Sequence, residues 1–256
     1  MTKTPILLYH QITAERDADD PFRLSVSPQN FEQQMSYLAK KNYRCVSLTE
    51  ALRLRAEGAD GRKTFAITFD DGYLDNYEVA FPILKKHGFF CTIFIVTEFV
   101  GRTLAWPGLR EVSFMTWDQM SEMLPSSNEF GAHTATHPNL HEISVAEAEQ
   151  EIRESKEILE QALSRPILHL AYPGGHHSPE IREIMRRAGF AEGLGVDIGP
   201  DQLYNRWRVQ INGDDSLSLF RLKASGYFEM LKKIRQSSGV AHRVTQAVGG
   251  ALNRWR

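Results

Sequence analysis

The sequence predicts an α/β protein built on a parallel sheet, with closure into a (β/α) barrel favoured over an open, doubly wound sheet. Three observations carry this. Strand-like and helix-like segments alternate along the 256 residues, the pattern of a parallel sheet with helical crossovers. Residues 89–96 are apolar apart from Thr92, as a strand covered on both faces should be. Residues able to do chemistry, among them Asp70, Asp71, His133 and the turn Pro173-Gly174-Gly175, follow strand-like runs, and reactive groups gather at the C-terminal strand ends of barrels. Open sheets also bind ligands at their carboxyl ends, so this last point tilts the choice.

In order along the chain, residues 6–10 read as the first strand. Ser27-Pro28 opens a helix, an N-cap before a proline at the first helical position, with Phe31, Met35 and Leu38 as its apolar stripe. Residues 43–46 form a short strand, and Ser47-Leu48-Thr49-Glu50 is a capping box for the next helix. Residues 65–69 are the third strand, followed by a helix over 77–86 and the buried strand 89–96. Thr116-Trp117-Asp118-Gln119 caps another helix, and 129–133 is a strand. Ser144-Val145-Ala146-Glu147 caps a long helix with the stripe Ala148, Ile152, Ser155, Leu159 and Ala162. Strands at 167–172 and 190–196 flank a helix opened by Ser178-Pro179.

Composition suits one compact domain. At 42% hydrophobic the chain can bury a sizeable core. A net charge of −2 and a pI near 6.5 argue against a nucleic-acid binder. Cys45 and Cys91 each sit in a strand-like context and read as buried free thiols rather than a disulfide or a nucleophile. The apolar run after Met1 is too short for a signal peptide, and residues 89–96 are too few to span a bilayer. A soluble, cytoplasmic protein is the expectation.

Thr68-Phe69-Asp70-Asp71-Gly72 places two carboxylates beside each other where a strand ends. Successive strand residues point to opposite sides, so the two acids can take different tasks. His133-Thr134-Ala135-Thr136-His137 adds two imidazoles. Asp-Asp-Gly alone is a turn signal, and His-x-x-x-His alone arises by chance. At the ends of two apolar runs in one chain, they favour a hydrolytic metal site of one carboxylate and two histidines with positions left for water. His137 precedes Pro138, which pushes it away from helical geometry, and the glutamate of His-Glu-x-x-His is missing. The metalloprotease helix is thereby excluded in favour of a tight turn.

With Ala171-Tyr172-Pro173-Gly174-Gly175, these motifs resemble the polysaccharide deacetylases, metal-dependent carbohydrate esterases that include the chitin and nodulation-factor deacetylases. The likeness runs from Ile6 to Ile211. Tyr9-His10-Gln11-Ile12 and Arg208-Val209-Gln210-Ile211 look like the branch that processes exopolysaccharide N-acetylglucosamine. The resemblance implies a distorted (β/α) barrel of about seven parallel strands. It further implies that Asp71, His133 and His137 bind one divalent metal ion, zinc in the first place with cobalt or nickel as alternatives. Asp70 would be the general base, and Tyr172, Pro173 and Gly174 the oxyanion and substrate surface.

Departures from the family pattern mark the open positions. Many members begin the third motif with an arginine that orients the base, where this chain has Ala171; Arg208 is the candidate substitute, or else an exposed strand-end arginine. The family's late Leu-x-His motif, source of the general acid, has no match, since Leu140-His141 lies in the wrong region and Val240-Ala241-His242 in the tail. His10, His176 and His177 are the candidate proton donors or rim residues. Tyr73, Trp106 and Trp117 could stack on a sugar or anchor the core.

The reading is a metal-dependent hydrolase that removes N-acetyl groups from an amino sugar in a glycan or a lipid-linked glycan precursor. The alternatives are an inactive carbohydrate-binding relative and a small-molecule amidohydrolase. Residues 1–238 are expected to form the barrel domain and 239–256 a basic amphipathic tail. From Arg221 onward the chain carries eight Lys or Arg and one acid, Glu229. A helix of that character carrying a tryptophan can lie on an anionic membrane surface or pack on the barrel.

Overall fold

The computed structural model describes residues 4–14, 23–105, 111–196, 203–228 and 231. The expected tail, the domain boundary at residue 238 and Trp106 lie outside them.

The strands are β1 (Ile6–Tyr9), β2 (Arg44–Cys45), β3 (Thr64–Phe69), β4 (Thr92–Ile95), β5 (Thr103–Ala105), β6 (Glu111–Ser113), β7 (Glu129–Ala132), β8 (His169–Ala171), β9 (Glu192–Gly195), β10 (Arg206–Trp207) and β11 (Val209–Gln210). The helices are α1 (Pro28–Lys40), α2 (Leu48–Ala56), α3 (Phe81–Lys86), α4 (Trp117–Met123), α5 (Val145–Leu163), α6 (Pro179–Arg187) and α7 (Leu217–Ala224). The main sheet runs β10-β9-β8-β7-β4-β3-β1-β11, every neighbour parallel, with β2 paired to β3 off this path. Its two ends, β10 and β11, are consecutive in the chain and separated by Arg208 alone. One extended segment therefore pairs with β9 through its first half and with β1 through its second, which closes the parallel sheet into a distorted barrel.

Local chemistry explains the elements. Ser27, Ser47, Thr116, Ser144 and Ser178 each cap a helix with a side-chain oxygen that accepts the backbone N–H three residues on, satisfying a donor the first turn leaves open. In α5 the buried face is Ala148, Ile152, Ser155, Leu159 and Leu163. Leu163 replaces the expected Ala162 because it lies four residues beyond Leu159 and so continues the same face. The helix expected over 77–86 begins as a π-turn, Asn76–Ala80, in which Phe81 N–H reaches back to Asn76 O. Pro82 has no N–H to continue an ordinary ladder at that point.

Alternate strand residues line the barrel. Ile6, Ala66, Phe94, Ala171 and Leu194 form an interior cluster with Val46, Leu48, Ala51 and Leu52, so α2 plugs the N-terminal end. The opposite faces of the strands pack under the outer helices in the larger core. Cys45 and Cys91 are both free thiols, Cys91 buried and Cys45 half-buried. No helix among the described residues is long and apolar enough to cross a membrane.

Candidate active site

The open end of the barrel collects the groups that end β1, β3, β7 and β8 and the residue between β10 and β11. Asp70 and Asp71 follow β3, and Asp71 and Gly72 both turn with positive φ, +74° and +79°. The φ of Gly72 favours glycine there, and a Cβ would also displace Ile95 Cδ1, 2.8 Å away. His133 follows β7. Thr134 and His137 adopt φ of +65° and +61°, a strained turn that swings the second imidazole back toward the first. The rings lie 4.8 Å apart at 63°. Non-glycine residues in this region cost about 1–3 kcal/mol each and concentrate at functional sites.

Asp71 Oδ1 lies 3.3 Å from His133 Nε2 and 3.4 Å from His137 Nε2. One ligand atom from each of the three residues falls within 4.8 Å of the others. His133 Nδ1 is 2.8 Å from Ala171 O; a carbonyl only accepts, so Nδ1 carries a proton there, and Nε2 faces Asp71. Burial pushes the Asp71 carboxyl up, but the hydrogen bond from His133 and the charges of His137 and His133 outweigh it and hold Asp71 well below the usual range. His137 is pushed down to about 4, chiefly by burial. A buried carboxylate and two imidazoles with these spacings fit a divalent metal ion.

Asp70 does not join this cluster. Arg208 grips it in a fork, Nη1 to Oδ1 at 2.5 Å and Nη2 to Oδ2 at 2.7 Å. The Arg208 side chain is 0% exposed, its Nε donates to Gly195 O and its guanidinium lies 5.3 Å from the Phe94 ring centre. Burial would raise the Asp70 carboxyl; Arg208 and His133 more than offset it, so the group sits below its ordinary range. Of the two readings of Arg208, the buried partner of Asp70 is the one found.

The other expected residues separate. His10 is close enough to Asp71, Asp70, Arg208 and His133 for their charges to act on it, and burial lowers its pKa. Asn76 Nδ2 donates to its carbonyl at 2.8 Å. His176 is exposed and meets His141 edge to face, while His177 pairs with Asn205 Oδ1 at 2.8 Å. Tyr172 corrects the expectation that it faces substrate. Its side chain is fully buried, its hydroxyl donates to Tyr204 O and its N–H to Leu194 O, because, one residue past β8, it falls on the same side as Leu170 and enters the outer core. Pro173 is buried, and Gly174 is exposed with φ +62°. Tyr73 is a core residue stacked on Phe114, and Trp117 packs on the main core.

Leu8-Tyr9-His10 ends β1, and β1 pairs with β11, the closing strand. The first strand is thus the neighbour of the last, which only the closure of the sheet reveals.

A nearly closed parallel barrel with its polar groups on the C-terminal rim defines the (β/α)-barrel class. Within that class, the polysaccharide deacetylase family model matches residues 57–193, more than half of the chain, and the protein belongs to the polysaccharide deacetylase family. It is 29% identical over 235 residues to Bacillus subtilis YxkH, a match spanning 90% of this chain and 77% of that one. It is 25% identical over 206 residues to the poly-beta-1,6-N-acetyl-D-glucosamine N-deacetylase of Staphylococcus epidermidis, covering 74% and 69%. The structure is similar to that of the Streptococcus pyogenes deacetylase PplD in complex with acetate, with a TM-score of 0.77, 28% identity and coverage of 87% and 98%.

Proposed function

We propose that this chain is a metal-dependent N-deacetylase that hydrolyses the acetamide of an N-acetylated amino sugar in a glycan, a polymer or oligomer of N-acetylglucosamine being the favoured substrate. The observation that carries the reading is the division of labour between neighbouring acids: Asp71 clusters with His133 and His137 while Asp70 is forked by Arg208. Names of relatives support the substrate class, since the Staphylococcus epidermidis protein acts on poly-beta-1,6-N-acetyl-D-glucosamine.

Asp71, His133 and His137 would hold the ion, which supplies Lewis acidity, lowering the pKa of water and polarising a carbonyl. Asp70, kept ionised and aimed by Arg208, accepts the proton of the attacking water as the C–O bond forms. Gly174, exposed and in the left-handed region, offers a backbone N–H to the carbonyl oxygen as it gains charge. His10 gives a proton to the sugar nitrogen as the C–N bond breaks, so that acetate and a free amine leave. The test is acetate release from β-1,6-linked N-acetylglucosamine oligomers and from chitooligosaccharides, with and without a chelator. Chelator-sensitive release supports the reading. No release from either, alongside turnover of small amides, moves the assignment to a small-molecule amidohydrolase.

A further inference from the structure

The turn that carries the second histidine is held by a side chain that none of the motifs contains. Residues 134–137 include two left-handed positions, Thr134 and His137, and such a turn persists only where its surroundings over-determine it. Two of its carbonyls are tied to backbone, Thr134 O to Thr97 N–H at 3.4 Å and Ala135 O to Glu98 N–H at 3.0 Å. Within the turn, Thr134 Oγ1 donates to His133 O at 2.6 Å and accepts His137 N–H at 3.1 Å. The outward-facing donors all go to one carboxylate on the second turn of α5. Glu151 Oε2 accepts Ala135 N–H and Thr136 N–H at 2.8 Å each, and Oε1 accepts the Thr136 hydroxyl at 2.7 Å.

We propose that Glu151 is a positioning residue for the metal centre, clamping the 134–137 turn so that His137 Nε2 is presented to the ion beside Asp71 and His133. The inference rests on the metal reading proposed above. A charged acceptor that takes two adjacent amides and a hydroxyl fixes the turn at both its middle residues, and hydrogen bonds to an ionised acceptor are the strong kind. Without the clamp, two backbone donors lose their partner and the left-handed His137 loses the constraint that keeps its ring on Asp71. Groups that orient ligands from behind change metal affinity by about 10–100-fold when removed. Glutamine can serve as a partial replacement: its carbonyl can take the amides and its amino group can donate to Thr136 Oγ1. Alanine cannot.

The experiment measures zinc affinity by competition with a chromophoric chelator, without any substrate, in the wild-type chain, Glu151→Ala, Glu151→Gln and Glu151→Asp. Unfolding of the metal-free forms is followed in parallel. The expected result is zinc binding about 10–100-fold weaker in Glu151→Ala, largely restored in Glu151→Gln, with metal-free unfolding changed far less than affinity. A second arm places Glu151→Ala on His137→Ala. A positioning role predicts no further loss there, because the ligand being positioned is gone, and an additive loss overturns the proposal. Should Glu151→Ala not fold, Glu151→Asp decides, its carboxylate drawn back by one methylene; weakened zinc binding supports the proposal and wild-type affinity overturns it. Wild-type affinity in a folded Glu151→Ala overturns the clamp and leaves the metal centre standing. A wild-type chain that takes up none of zinc, cobalt or nickel overturns the metal centre itself and the clamp with it.

Discussion

Arg208 reaches Asp70 at the seam of the barrel, although the two stand 138 positions apart along the chain. Arg208 lies between the two half-strands that close the sheet, so closure and the orientation of the proposed base are one structural event. The pair is buried and bidentate, and Thr68 Oγ1 lies 3.4 Å from Arg208 Nη1 on the same side. Breaking such a pair by removing one partner leaves an uncompensated buried charge, at a cost of about 3–5 kcal/mol.

Arg208→Met should therefore change both rate and pH dependence. Asp70 lies below its ordinary range because Arg208 and His133 overcome burial, so removing the guanidinium raises its pKa. The base works only when ionised, and the acidic limb of the kcat/KM profile moves to higher pH. The stability contributed by the depressed carboxyl, present above its unfolded pKa and lost as pH falls through the folded one, shrinks as well. Arg208→Lys keeps the charge but not the fork, and is expected between the two. An unchanged acidic limb in Arg208→Met refutes the pairing as a functional one.

The adjacent acids should fail differently. Asp70→Asn removes the proton acceptor and is expected to cost about 10²–10⁴-fold in kcat while metal content is kept. Asp71→Asn is expected to lose metal first, with activity following and partly restored by excess zinc. The comparison needs metal analysis and rates on the same preparations; near-normal turnover by metal-loaded Asp70→Asn would return the chain to the carbohydrate-binding reading.

Much of this arrangement is legible in the sequence, for physical reasons. Ser27, Ser47, Thr116, Ser144 and Ser178 announce helix starts because the cap is a local hydrogen bond. Asp70, Asp71, His133 and His137 are legible because their side chains leave strands that the apolar pattern marks. What escapes is what depends on closure. Arg206 to Gln210 has no apolar run, and its interior face is Arg206, Arg208 and Gln210, the reverse of the usual pattern. His10 lies at the start of the chain although its neighbour in space is the closing strand. The β5–β6 hairpin pairs residues exposed at Thr103 and Ala105, with too little apolar alternation to register, and Glu151 looks like any acid on a helix surface.

Metal content provides an independent check. About one zinc ion per chain is expected in the wild type, falling sharply in His133→Ala and in His137→Ala, since each removes one of three protein donors. Full occupancy in both variants is incompatible with the assignment. Cobalt or nickel in place of zinc would leave the ligand set intact and change only the identity of the ion.

Gly131 sets the interior beneath the site. A Cβ there would run into the edge of the Phe94 ring and meet His169 O at 3.0 Å, and Phe94 is the ring on which the Arg208 guanidinium lies. Gly131→Ala is expected to lower stability by about 1–3 kcal/mol through overpacking. It should also lower activity per folded molecule by disturbing the Arg208 fork. Thermal unfolding and kinetics together check this; a stable variant with full activity means that Phe94 moves aside freely.

The identity of the proton donor can be settled with two substrates. Of the three candidate histidines, His10 is the one on which Asp71, Asp70, Arg208 and His133 all act, whereas His177 is committed to Asn205 and His176 meets His141 edge to face. An amide nitrogen must be protonated to leave; the phenolate of a nitrophenyl acetate need not be. His10→Ala should therefore lose about 10²–10⁴-fold in kcat on an N-acetylglucosamine oligomer, much less on the activated ester, and keep its metal. His176→Ala and His177→Ala should retain most of both activities. Equal losses on amide and ester in His10→Ala would point instead to a role in shaping the site, because only proton donation distinguishes the two leaving groups.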